Sequence, residues 1–194
     1  MRECGARGWL SIIGCAVLLT ACGGGLLRPA SPPGAPMDLA SGVTVTIAPV
    51  SDAPGWRPDD VRALQVYYAA VWVDIINRTT DRMAVDPARA IVYDANGTPW
   101  PALDSAQLGL VRRWHPWSWR TWWAEWFAGR RQDGLAARLE QEQLQAGWVA
   151  PGEHRSGLLI FKSMPASACE TAELEWRGSL TSAARTLRVP MSCG

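Results

Sequence analysis

Leu64-Gln65-Val66-Tyr67-Tyr68-Ala69-Ala70-Val71-Trp72-Val73-Asp74-Ile75-Ile76, residues 64–76, is apolar on both parities. One parity holds Leu64, Val66, Tyr68, Ala70 and Trp72; the other holds Tyr67, Val71, Val73 and Ile75. Successive side chains of a strand point to opposite faces, so the stretch reads as a central strand, or one that changes sheet at a bend. Outward from it the texture is short and β-like. Upstream, Val43-Thr44-Val45-Thr46-Ile47 alternates cleanly and predicts a first strand. Downstream, Asn77-Arg78-Thr79-Thr80-Asp81 supplies turn residues. A strand near Ala88–Tyr93 then ends in Asp94-Ala95-Asn96-Gly97, a hairpin turn signal. Pro151-Gly152 opens a turn before a strand at Gly157–Phe161, and Ala172–Trp176 and Thr186–Val189 supply the last two. Roughly seven strands, few of them separated by helices, predict a mainly β domain: an antiparallel β-sandwich over residues 42–194.

Three of these stretches carry a resemblance. Val73-Asp74-Ile75-Ile76-Asn77-Arg78-Thr79, then Val92-Tyr93-Asp94-Ala95-Asn96-Gly97, then Pro151-Gly152-Glu153-His154-Arg155-Ser156-Gly157-Leu158-Leu159-Ile160-Phe161 are similar to small immunoglobulin-like domains of secreted and lipid-anchored bacterial proteins. The likeness covers roughly 100 residues, about the size of such a domain. It implies an immunoglobulin-like antiparallel β-sandwich that binds or braces rather than catalyses, and no functional residue carries over. The departures are a Trp-rich helical insertion at about 112–147 and the lack of a Cys-Trp-Cys core.

That insertion is the compositional anomaly. The chain has 12 Trp against 2 Phe, and seven of the Trp lie between Trp100 and Trp126. Pro116 is placed to start a helix. Trp119, Trp122, Trp123 and Trp126 then fall at i, i+3, i+4 and i+7, with Phe127 widening the stripe. Arg120, Thr121, Glu125 and Ala128 take the other face; Arg112, Arg113, Arg130 and Arg131 flank the segment, and Gly129 and Gly134 end it. A second helix over 135–146 is expected at the surface, its apolar stripe diluted by Glu142 and Gln143. Each buried Trp is worth ~4–6 kcal/mol at 25 cal/mol per Å². Four left in water would forgo about as much as a domain's whole stability. Something must cover them. Three covers are open: the domain's own sheet, a membrane interface, where Trp with flanking Arg is favoured, or a partner protein or cell-wall glycan. Trp119, Trp122, Trp123, Trp126, Phe127 and Arg120 are thus the candidate interaction surface.

The chain's first residues explain where such a domain would work. Arg2 and Arg7 precede an apolar run from Trp9 to Leu19, too short to span a bilayer but right for a signal-peptide core. It closes in Leu19-Thr20-Ala21-Cys22, which resembles the lipobox of bacterial lipoproteins. The resemblance implies removal of residues 1–21 and a diacylglyceryl thioether on Cys22, so that the partner is a membrane reached through lipid. Gly23 and Gly24 stand where an inner-membrane retention signal shows aspartate, which implies the outer membrane, periplasmic face. Residues 22–41 hold Pro29, Pro32, Pro33 and Pro36 and read as the lipidated cysteine and a linker reaching ~50 Å. Cys4 and Cys15 leave with the leader. Cys169 and Cys193 remain, an even count in an oxidising compartment, and predict a disulfide tying the C-terminal tail to the strand near Glu173.

Function classes narrow by exclusion. The chain has 19 basic and 18 acidic residues; removing Arg2, Arg7 and Glu3 leaves 17 of each, with no basic surplus for nucleic acid. No Gly-x-Ser-x-Gly, Ser-x-x-Lys, His-Glu-x-x-His, Walker or dinucleotide motif occurs. His115 reads as a helix-entry residue and His154 as an exposed turn residue, neither in metal-ligand spacing with the cysteines. Asp94 and Asn96 lack the further oxygen ligands of a calcium loop. Asp59 and Asp60 are expected to cap or solvate a turn. The expectation is a non-catalytic chain with no cofactor and no metal.

Overall fold

The computed structural model describes residues 26–30, 34–40, 42–65, 67–108, 134–135, 137–180 and 183–193. Among them eleven strands form two antiparallel sheets. The larger holds β1 (Leu27–Pro29), β5 (Met83–Val85), β6 (Ala90–Tyr93), β7 (Pro99–Pro101), β8 (Gly147–Val149), β10 (Ala172–Leu180) and β11 (Ala183–Cys193). β10 is its axis: β11 lines one side, and β6 and β5 share the other. The smaller sheet runs β2 (Pro36–Ala40), β3 (Val43–Pro49), β4 (Tyr68–Asn77), β9 (His154–Lys162).

The alternation read from residues 43–47 is realised in full. Val43, Val45 and Ile47 are buried while Thr44 and Thr46 are half-buried on the opposite face. The buried set joins Val71, Val73, Ile75, Leu159 and Phe161 of the smaller sheet to Met83, Val92, Leu174, Trp176 and Val189 of the larger. One core is therefore shared by two facing sheets. Trp176 lies fully buried in it, and its indole N–H donates to the Asp86 carbonyl at 3.0 Å, so burial leaves no orphan donor.

β4 and β9 are apolar on both faces because a second core lies behind them. Tyr68, Ala70, Leu158 and Ile160 point away from the larger sheet into a cluster with Val50, Trp56, Val61, Leu64, Leu108 and Leu139. The cover comes from α1 (Pro58–Gln65) and the helical residues 105–108 and 137–142. Here the strand expected over 64–76 needs correcting: Leu64 and Gln65 end α1, and β4 starts at Tyr68. Pro58 starts the helix, and Asp59 and Asp60 sit in its first turn, where the helix dipole favours acids. They belong to a helix, not a turn.

The linker reading of 22–41 also needs correcting. Within it, Leu27–Pro29 pairs with β11 (Leu27 opposite Cys193) and Pro36–Ala40 pairs with β3. Both are edge strands, where a proline's missing N–H breaks no ladder. Leu26 and Leu27 are buried. Among the described residues the packed fold thus reaches back to Leu26, well before residue 42.

Strand registers define two ends of the domain. At one end lie Pro49, Tyr68, Lys162, Ala172 and Cys193, the terminal residues of β3, β4, β9, β10 and β11, together with Leu27. At the other, the turn after Asn77 meets the Pro151-Gly152 turn. The buried Asn77 side chain donates to Asp81 O at 2.8 Å and Val149 O at 3.0 Å, and accepts from Thr79 N at 3.0 Å and Thr79 Oγ1 at 2.7 Å. All its hydrogen-bonding capacity is used.

Candidate functional site

The sequence nominated Cys22 for lipidation and Trp119, Trp122, Trp123, Trp126, Phe127 and Arg120 for interaction. All seven lie outside the described residues, as do the leader and His115. What is described is the base from which the Trp-rich segment leaves and to which it returns. Leu103 N donates to Ile160 O at 2.7 Å, and Leu144 N donates to Leu158 O at 2.9 Å. The Gln143 side chain closes the pair by donating to Leu103 O at 2.6 Å. The chain before and after the Trp-rich segment is thus hydrogen-bonded side by side along β9, an edge strand whose outer polar groups Leu103 and Leu144 occupy. Gly157 makes the contact feasible: a Cβ there would stand 2.7 Å from the Leu144 backbone.

Residues 137–142 are not the surface helix expected over 135–146. The helix stops at 142, Gln143 bridges to Leu158, and Leu139, Gln143 and Leu144 are buried. Arg138 lies over the Trp56 ring with its guanidinium carbon 4.4 Å from the centroid. It pairs with Glu142 at 2.8 Å and with Asp60 at 3.1 Å, and Glu142 accepts the Trp56 indole N–H. Alternating Arg and Glu four apart signals a helical ion pair, but only the fold brings Trp56 and Asp60 to it. On the other flank Leu108 is buried, and its carbonyl accepts the Tyr68 hydroxyl at 3.2 Å. Leu108, the last described residue before the Trp-rich segment, is therefore held at the first residue of β4.

The disulfide is formed: Cys169 and Cys193 are bridged, with Cα atoms 5.1 Å apart. It joins α2 (Ala166–Cys169), just before β10, to the end of β11. Asp94 and Asn96 lie in the expected hairpin, with Gly97 at φ +76°. The Asp94 carboxylate accepts from Thr98 N and Asn96 N, each at 2.8 Å, and from the Trp100 indole at 3.4 Å. The Thr98 amide foremost holds its pKa below the ordinary value, against a partial desolvation. Glu153 is held low mainly by the Ala150 amide and then by Arg155. His154 opens β9 rather than sitting in the turn, and its ring bonds Asp74 on the neighbouring strand.

These groups stabilise turns and strand ends. No cluster of three or more His, Cys, Asp or Glu side chains suited to a metal occurs among the described residues. Nor is any described helix long and apolar enough to cross a membrane. A groove of about 550 Å³ lies between Pro99-Trp100-Pro101, Leu103, Gln107 and Lys162. Its Gln107 side-chain carbonyl already accepts from Asp104 N at 3.1 Å. Trp148 on β8 is 54% exposed, a single apolar side chain of the kind common on protein surfaces.

No protein-family model and no curated protein matches the chain. Among solved structures, the candidate lipoprotein ycdA of Bacillus subtilis is similar at 12% identity and a TM-score of 0.36, over 86% of this chain and 34% of that one. The chain thus spans about a third of the length of that protein. A Listeria monocytogenes protein of unknown function is similar at 10% identity and a TM-score of 0.44, over 88% of this chain and 89% of that one.

Proposed function

We propose that the chain is a lipid-anchored envelope protein whose folded part is a non-catalytic module for interaction or bracing. The observation that carries this reading is the use made of polar side chains. Among the described residues, Asn77, Gln143 and Glu175 are the buried polar ones. Each is consumed internally: Asn77 by two turns, Gln143 by Leu103, Glu175 by Arg177 at 2.9 Å and Arg188 at 3.2 Å. Groups tied up in this way hold the fold together, which is what a brace requires. The anchor rests on the Leu19-Thr20-Ala21-Cys22 motif. Gly23 and Gly24 add the outer membrane as a finer expectation, on which no described residue bears.

The immunoglobulin-like reading of the fold draws support from strand order. Lettering the strands from β3, with β5 and β6 sharing the C position and β7 and β8 left unlettered as additions to the larger sheet, puts A-B-E (β3-β4-β9) in one sheet. It puts G-F-C (β11-β10-β5/β6) in the other, the arrangement of such sandwiches. The described residues on either side of the Trp-rich segment then fall between C and E, with Leu103, Leu108 and Leu139 packed on the outer face of the A-B-E sheet.

A photo-crosslinking residue placed at Trp119 and at Trp123 in living cells tests the interaction reading. A discrete protein or wall adduct supports it; adducts confined to the chain itself remove the Trp stripe as its working surface. A membrane-interface role for that stripe is favoured by one observation. Leu108, the last described residue before the segment, and Leu26, the first described residue, lie in one apolar cluster. Flotation of the delipidated protein with anionic vesicles checks that role, and protein left at the bottom ends it.

A further inference from the structure

We propose that the domain rests directly on the bilayer with one defined end down, the end marked by Leu26 and the Cys169–Cys193 bridge. The inference deepens the lipoprotein reading and rests on it. Its physical content is the length of chain left over. If Cys22 carries the lipid, only Gly23–Gly25 separate it from Leu26, which is buried at 5% exposure. Four Cα steps extend at most about 14 Å. Three glycines cannot lift a folded domain clear of the headgroups, as a linker ending at residue 41 would.

Leu26 belongs to one apolar cluster with Val50, Ala53 and Trp56, and the next residue pairs with Cys193. The surface brought to the bilayer is therefore the end where β1 begins and β11 finishes. Exposed Ser51, Asp52 and Arg57 lie on it, beside the 3₁₀ turn Val50–Asp52. The opposite end, at the turn after Asn77, is the length of β4 away. Ten residues at about 3.3 Å each put it ~30 Å farther out. Exposed charge at the lower end is mixed, Arg28, Arg57, Arg62 and Lys162 against Asp52, Asp59 and Glu170. The orientation is accordingly imposed by the short tether and is independent of anionic lipid.

The test uses the full lipidated chain in vesicles of phosphatidylethanolamine with a headgroup energy-transfer acceptor. A fluorescent amino acid is placed at Ser51 in one sample and at Thr80 in another. Transfer from position 51 is expected to exceed that from position 80 by at least twofold, unchanged when phosphatidylglycerol is added. Inserting a flexible ten-residue spacer between Gly25 and Leu26 should erase the difference without altering the melting curve. Equal transfer from both positions in a chain whose mass includes the acyl groups overturns the orientation alone. A mass without acyl groups on Cys22 overturns the lipoprotein reading, and the orientation with it.

Discussion

Gly157 and Leu144 are in backbone contact so close that no other residue type fits at position 157. A Cβ on Gly157 would approach both the Leu144 Cα and N to 2.7 Å and the Glu142 carbonyl oxygen to 3.0 Å. All three are backbone atoms, unable to swing aside. Gly157→Ala should push residues 142–144 off β9 and weaken the Leu144 N to Leu158 O bond, at a cost of about 1–3 kcal/mol. Urea unfolding reads the loss, and hydrogen exchange at the Leu144 amide should accelerate with it.

Asn77 makes the same point with polar chemistry. Asn77→Ala removes the side-chain donor from the buried Val149 carbonyl and the acceptor from the Thr79 amide at the junction of two turns, while the exposed Asp81 carbonyl keeps the Thr79 hydroxyl. The expected loss is ~1–3 kcal/mol, the cost of one buried group left unsatisfied. A denaturation midpoint within error of wild type would contradict this account of the junction.

The Cys169–Cys193 bridge closes a loop of 24 residues in sequence separation. Its removal by Cys169→Ala with Cys193→Ala should cost roughly 3 kcal/mol on the chain-entropy account. Intact mass before and after reduction should show two thiols appearing only after reduction. Labelling of both without reductant would count against the bridge.

The Asp94 carboxylate has a folded-state pKa below its ordinary 3.8. Its contribution to stability is therefore present above the unfolded value and lost as pH falls through the folded one. Carboxyl NMR should give Asp94 a midpoint below that of an unfolded reference. Asp94→Asn should flatten the acid limb of the stability profile below about pH 4. An unshifted midpoint would refute the hairpin's hold on the carboxylate.

The legible parts of this fold were those where local pattern and final environment agree. Val43–Ile47 and the Asp94–Gly97 hairpin each carry their signal within a few residues. The edge strands β1 and β2 were hidden by prolines, which read as linker yet are tolerated where no ladder partner is needed. Helix α1 was hidden because Val61 and Leu64 run without a break into the apolar residues of β4. Both-sided burial of that strand was visible in its composition. The helical layer responsible came from α1 and from residues 105–108 and 137–142, distant in sequence from one another. Of the candidate site, the disulfide was readable from parity of cysteines. The Trp56–Arg138–Glu142 cluster was not, since 86 residues separate its indole from its carboxylate.

The neighbouring hydrogen bonds that hold Leu103 and Leu144 on β9 have an evolutionary corollary. Their acceptors, Leu158 and Ile160, are two residues apart on one strand, so the excursion between them starts and finishes at nearly one point. Such a port lets residues 109–133 lengthen, shorten or be exchanged as a cassette while strand registers stay put. Lineages sharing this scaffold would then diverge fastest in the cassette and slowest at Gly157, the hinge pin on which it is mounted.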